Sequence, residues 1–220
     1  MRYLLICMPL LLSFICADTL AASRYFIGAG LSSGSGTGNN TSKAVIDDID
    51  AQNSSSSYTN TGFSLKMGMK FRGARRLELS LTQLNLSAEN DFTVVDADNN
   101  SEQVRSKSAL PVTGLDLTYM SHWRGGYLQP YYALGTGLYV NNNKEEMYAH
   151  DDIYGGALNA AFGLLMPLGR HAELDFAVQG KAIYWQEYQI YDKELDGFMA
   201  TTVQTTSMLG SVQLGFNFIF

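Results

Sequence analysis

Apolar and polar residues alternate with period two over most of this chain, the repeat of a strand whose two faces meet different surroundings. The clearest stretch is Thr61 to Phe71. There Phe63, Leu65, Met67, Met69 and Phe71 share one face, and Ser64, Lys66, Gly68 and Lys70 share the other. The same repeat predicts further strands at 24–31, 76–87, 112–122, 127–140, 154–167, 172–185 and 205–220, eight in all. In 76–87, Leu77, Leu79 and Leu81 oppose Glu78, Ser80 and Thr82. The phase then shifts at Gln83-Leu84, which predicts a β-bulge. In 172–185, Leu174, Phe176 and Val178 oppose Glu173, Asp175, Gln179 and Lys181.

The connections alternate in length. Tight turns fall at 72–75, 123–126 and 168–171, and long loops at 32–60, 88–110, 141–153 and 186–204. Most of the strands meet the ~9–11 residues that cross a bilayer at a tilt. An all-β fold follows: an eight-stranded antiparallel up-and-down transmembrane β-barrel, with short turns at one end and long loops at the other. A soluble β-sandwich accounts for the alternation but not for the sorting of loop lengths. Aromatics suggest two girdles. Tyr25, Phe71, Trp123, Tyr127, Phe218 and Phe220 fall at the turn end, and Tyr139, Tyr154, Tyr184 and Trp185 at the loop end.

Residues 1–22 read as a cleaved signal peptide: a basic start at Arg2, an apolar run from Leu4 to Ile15, and small residues up to Ala22. Both cysteines, Cys7 and Cys16, lie within it. Residues 23–220 therefore offer no disulfide, thiol nucleophile or thiolate metal site. They form one expected domain, the barrel with its four loops.

The final residues, Ser211 to Phe220, alternate and end on an aromatic. This ending resembles the C-terminal signal that the insertion machinery of outer-membrane barrels reads, and the resemblance gives Phe216, Phe218 and Phe220 that role. Arg24-Tyr25-Phe26-Ile27-Gly28-Ala29-Gly30 resembles the first strand of the small barrels of the OmpA transmembrane domain, OmpX and opacity-protein group. Pro130-Tyr131-Tyr132-Ala133-Leu134-Gly135-Thr136-Gly137 resembles a central strand of the same group. The resemblance spans 23–220. It implies the bacterial outer membrane, with lipid, lipopolysaccharide, periplasmic chaperones and the insertion machinery as partners. It also suggests adhesion or colonisation through host-cell or matrix proteins.

Charge sharpens the picture. The four loops hold sixteen of the 21 acids and five bases, a net charge of −11. Acidic loops are ordinarily just solvated, and that reading comes first; a surface that attracts cationic partners stands beside it. Nucleic acid is not an expected partner of such a surface. Tyr58, Tyr148, Tyr188, Tyr191 and Phe198 are candidate aromatic anchors of a protein interface, with Asp96, Asp98, Asp151 and Asp152 beside them. Asp96-Ala97-Asp98 only begins like a calcium loop, since the sixth position is Ser101 and the twelfth Lys107. No metal and no cofactor is expected.

Lys66, Lys70, Glu78, Asp116, Glu173, Asp175 and Lys181 point into the expected lumen. A lumen of eight strands is just filled by side chains, and buried charges must pair. If Phe71 faces Leu77 across the first turn, Lys70 faces Glu78. A salt-bridged plug is expected, with a narrow water channel as the alternative. Catalysis has little support. His122 and His171 fall at the turn end, and only His150 lies in a loop, beside Asp151 and Asp152. With Asp96 and Asp98 that pair resembles the omptin proteases, which have ten strands. The expected function is therefore non-catalytic: adhesion, colonisation or envelope integrity. A narrow pore or a conduit for small hydrophobic ligands is the alternative, and a loop-sited hydrolase a weaker one.

Overall fold

The computed structural model describes residues 22–44, 52–71, 74–95, 101–123, 125–142, 152–191 and 200–220. They form nine strand segments: β1 (Ala22–Ala44), β2 (Gln52–Phe71), β3 (Arg75–Val95), β4 (Ser101–His122), β5 (Gln129–Asn142), β6 (Asp152–Pro167), β7 (Ala172–Trp185), β8 (Tyr188–Tyr191) and β9 (Ala200–Ile219). β1 to β7 pair antiparallel in chain order, β7 pairs next with β9, and β9 returns to β1, which closes the sheet. β8 continues β7 along β9. The register slips by one residue between Tyr184↔Thr206 and Tyr188↔Val203, so Gln186-Glu187 form a break within one barrel strand. The barrel is thus eight-stranded.

The registers fix its shape. Paired positions lead from Gly28 to Lys66, Ser80, Asp116, Gly137, Ala157, Ile183 and Ser207, then return to β1 at Gly38, ten residues further along. This stagger tilts the strands against the barrel axis, as closure requires. It also means that one pleat parity faces inward all the way round.

The outer surface carries an apolar belt of Ile27, Leu31, Leu65, Met67, Leu79, Leu115, Leu134, Phe162, Val178 and Leu214, all exposed. Such a band is what hydrocarbon selects. Above it, toward the loop end, the chemistry inverts without any change of pleat. On β3 the outward residues run Leu77, Leu79 and Leu81, then Gln83, Asn85 and Ser87. The inward ones run Arg76, Glu78, Ser80 and Thr82, then Leu84 and Leu86. On β1, outward Leu31 gives way to Ser33, Ser35, Thr37 and Asn39; on β2, Phe63 gives way to Thr61, Thr59 and Ser57. The barrel leaves the bilayer here and stands in water, so the polar face turns outward and the apolar face becomes a core.

This inversion corrects three sequence expectations. There is no bulge at Gln83-Leu84: the pairs Phe63↔Gln83 and Gly62↔Leu84 continue the register unbroken. The Gly/Ser/Asn-rich stretch expected as a loop over 32–60 is mostly paired strand, with Ser35↔Thr59 and Asn39↔Ser55 among its pairs. The expected loops at 88–110 and 186–204 are likewise shortened by β3, β4, β8 and β9.

Candidate functional site: a filled lumen beneath a raised rim

Among the described side chains, the inward parity of β2, β3, β4 and β7 carries every lumen charge. Four bases (Lys66, Lys70, Arg76, Lys181) meet four acids (Glu78, Asp116, Glu173, Asp175), so the described lumen is electrically balanced. Near the turn end Glu173 is the hub. Arg76 Nη1 donates to its Oε1 at 2.6 Å, Asn217 Nδ2 donates to the same oxygen at 3.2 Å, and Lys70 donates to its Oε2. Arg76 is fully buried, and its guanidinium carbon lies 3.6 Å from the Phe26 ring centroid. Its Nε stands 4.0 Å from Glu78 Oε2, too far for a hydrogen bond. Lys66 joins this group, with Nζ 3.1 Å from Asp175 Oδ2 and 3.5 Å from Glu78 Oε1. Tyr131 donates its hydroxyl to Asp175 Oδ1 at 2.7 Å.

A second hub sits higher. Asp116 Oδ2 accepts from Lys181 Nζ at 2.8 Å, from Tyr139 Oη at 2.5 Å and from Thr82 Oγ1 at 3.3 Å. Its Oδ1 accepts from Asn159 Nδ2 at 3.1 Å. Small residues make the space. A Cβ on Gly137 would lie 2.2 Å from Asp116 Oδ1, and one on Gly114 would lie 2.2 Å from the Tyr139 ring. Between the hubs lies a cavity of about 50 Å³ lined by Ser64, Lys66, Glu78, Asp116, Asp175 and Lys181. That is room for a handful of waters.

Above the second hub the lumen turns apolar. Tyr58, Leu84, Leu86, Val112, Ile153, Ile183, Trp185 and Leu209 pack as one buried cluster with Tyr139 and Ala157. Trp185 Nε1 is satisfied by Ser207 Oγ at 3.0 Å. A smaller cluster of Met120, Tyr131, Ala133, Leu165 and Ala177 fills the β4–β7 side.

The structure brings all seven sequence-predicted lumen charges together, with different pairing. Lys70 lies opposite Arg76, not Glu78, because Met69 rather than Phe71 faces Leu77. Its acid comes from across the barrel, at Glu173. Arg76, Tyr131 and Tyr139 join the network as well, though none of them is among the lumen residues expected from the sequence. Tyr139 and Trp185, expected in the outer girdle, and Tyr58, expected as a loop anchor, all point inward and are buried. Parity held the signal. Arg76 shares the face of Glu78, Trp185 that of Lys181, and Tyr58 that of Lys66. Of the other loop residues, Asp152 opens β6 and is exposed, while Tyr188 and Tyr191 lie in β8. Asp96, Asp98, Tyr148, Asp151 and Phe198 fall outside the described residues, as does His150. At the turn end, Phe220 stacks on Tyr25 with centroids 6.4 Å apart, and Phe216 and Phe218 face outward in the belt.

A closed antiparallel barrel with a lipid-compatible belt and a plugged lumen defines a class, the small outer-membrane β-barrels. Similar solved structures include the outer membrane protein OprG from Pseudomonas aeruginosa, at 18% identity and a TM-score of 0.56, over 90% of this chain and 96% of that one. Also similar are Neisserial surface protein A (8% identity, TM-score 0.46, covering 89% and 98%) and the attachment invasion locus protein Ail of Yersinia pestis (16%, 0.35, covering 88% and 99%). No protein-family model and no curated protein sequence matches the chain.

Proposed function

We propose that the protein is a non-conducting outer-membrane barrel that works through its outside, with the raised rim and the acidic connections above it serving recognition in adhesion, colonisation or envelope integrity. One observation carries this reading: the lumen is occupied along its length. Two ion-pair hubs and an apolar cluster fill the described lumen around a mid-lumen cavity of about 50 Å³. Conduction would require desolvating an ion through the apolar cluster, which is costly in a low-dielectric site. His122 and His171 belong to the turn end, away from the outer side on which a loop-sited hydrolase would act. The strands that continue past the belt lift the connections clear of the bilayer, where a partner can reach them.

The test is attachment. The protein, displayed on cells that lack adhesins, is scored for binding to immobilised matrix, serum proteins and epithelium. The comparison is a variant with its four connections shortened. Loop-dependent attachment supports recognition. Absent attachment by a folded, surface-exposed barrel, together with stepwise conductance in planar bilayers, would overturn it in favour of a pore.

A further inference from the structure

Surface charge is sorted by end. Of the side chains described, the exposed acids are Asp152 and Glu187, both at the loop end, and the exposed bases are Arg24 and Arg170, both at the turn end. The acids nearest the turns, Glu78, Glu173 and Asp175, are all buried in the lumen network. An α-carboxylate at Phe220 would offset only one of the bases. A rim kept merely soluble would mix both signs.

The registers join these bases into an arc. Arg170 and His171 lie in the turn between β6 and β7. The Ile219 amide donates to the His171 carbonyl, and the Phe220 amide to the Tyr25 carbonyl, which brings Arg24 next in line. Arg24 then pairs with Lys70, and Phe71 with Arg75. The arc crosses β7, β9, β1, β2 and β3, and at about 4.8 Å per strand it extends for roughly 20 Å. Pleat parity decides what it faces. The outward positions at this level are Tyr25, Phe71, Phe218 and Phe220, the aromatics that suit a headgroup boundary. Arg24 and Lys70 instead share the inward parity of Phe26 and Lys66, so they stand over the lumen mouth and the water below it. Arg75 alone has outward parity.

A single-sign arc of this length suits a long anion better than a small one. A lone carboxylate reaches one arginine, whereas a polymer with repeated carboxylates reaches several, and its links reinforce one another through effective concentration. The other side of the mouth is the turn between β4 and β5. There Trp123 and Tyr127 are exposed, Tyr127 at 86%. Flat aromatic faces in water suit the C–H faces of sugar rings.

We propose that the turn-end rim docks the carboxylate-bearing glycan of the cell wall beneath the outer membrane, with Arg24 and Arg170 on its carboxylates and Tyr127 on its sugar rings. This rests on the orientation of the proposed function, with the long connections outward, but not on any recognition role. Failure of attachment would leave it standing.

The test is co-sedimentation of the folded full-length barrel, in detergent micelles, with purified cell-wall sacculi. Binding is expected at low salt and lost at high salt. Each exposed arginine contributes about threefold, so Arg24→Gln with Arg170→Gln should weaken binding about tenfold while gel mobility shows an intact barrel. Amidation of the sacculus carboxyls should do the same to the unaltered protein, and the variant with shortened connections should bind fully. Tyr127→Ala should weaken binding to sacculi but not to polyglutamate; equal binding to sacculi would overturn the sugar contact. Absence of binding by the unaltered protein, or binding that survives both amidation and the arginine changes, would overturn the proposal. So would arginine-dependent binding to phosphatidylglycerol vesicles without binding to sacculi, which would make the rim a lipid contact.

Discussion

Glu173→Ala removes the acid that answers Arg76, Lys70 and Asn217 together. Breaking one partner out of a buried ion pair costs about 3–5 kcal/mol, because the remaining charge is left desolvated. Two features place this site at the lower end. Lys70 keeps 20% of its side-chain exposure and can turn toward the periplasmic water. Glu78 Oε2, 4.0 Å from Arg76 Nε, needs only a small rotation to take over part of the guanidinium. The expected loss is about 3 kcal/mol, roughly a hundredfold in the folding equilibrium. Equilibrium urea unfolding in phospholipid vesicles, followed by the fluorescence of Trp123 and Trp185, reads it directly. The double variant Arg76→Met with Glu173→Leu removes charge and counter-charge together, and should recover about 1 kcal/mol or more of the loss. A single-variant loss below about 1 kcal/mol, or a double variant as unstable as the sum of its parts, would refute the account of Glu173 as a hub.

Gly114→Val places a methyl-bearing carbon where the Tyr139 ring now lies and should break the Tyr139–Asp116 bond, lowering stability by about 2 kcal/mol in the same unfolding assay. The unaltered barrel is expected to be silent in planar bilayers. Leu86→Ala with Trp185→Ala, which empties much of the apolar cluster, is expected to give discrete conductance steps. Removal of Phe220 should lower the yield of heat-modifiable barrel in cells several-fold while leaving refolding of the purified chain nearly intact, as pulse-chase and gel mobility would show.

Where one solvent surrounded the whole strand, the sequence was transparent. Between Phe63 and Phe71, alternation alone separates lipid from lumen, and the inward lysines follow. The reading failed where the surroundings changed along a strand. No residue marks the point at which β3 passes from hydrocarbon to water. The change from Leu81 outward to Leu84 inward therefore looked like a slip in register when it was a change of solvent. The same blindness made a loop of the Ser- and Gly-rich parts of β1 and β2, which lack large side chains because their inner face is tightly packed and their outer face is wet. Aromatics misled for a related reason. Tyr139 and Trp185 have the chemistry of a girdle, yet their parity belongs to the lumen, where each hydroxyl or indole finds a partner. The cross-barrel choice of Glu173 for Lys70 lay beyond pattern reading, since it depends on the ten-residue stagger that only the closed sheet defines.

The seam between β1 and β9 sets the order in which the molecule can come into being. It joins Phe26 to Ile219 and Ala44 to Thr201, so its partners begin about 190 residues apart and the first strand waits for the last. Until then β1 presents an open edge to any passing strand, the hazard that closure removes. Slow, late commitment is the expected kinetics of so non-local a topology. The architecture itself thus lengthens the time for which the chain exposes an unpaired edge before it closes.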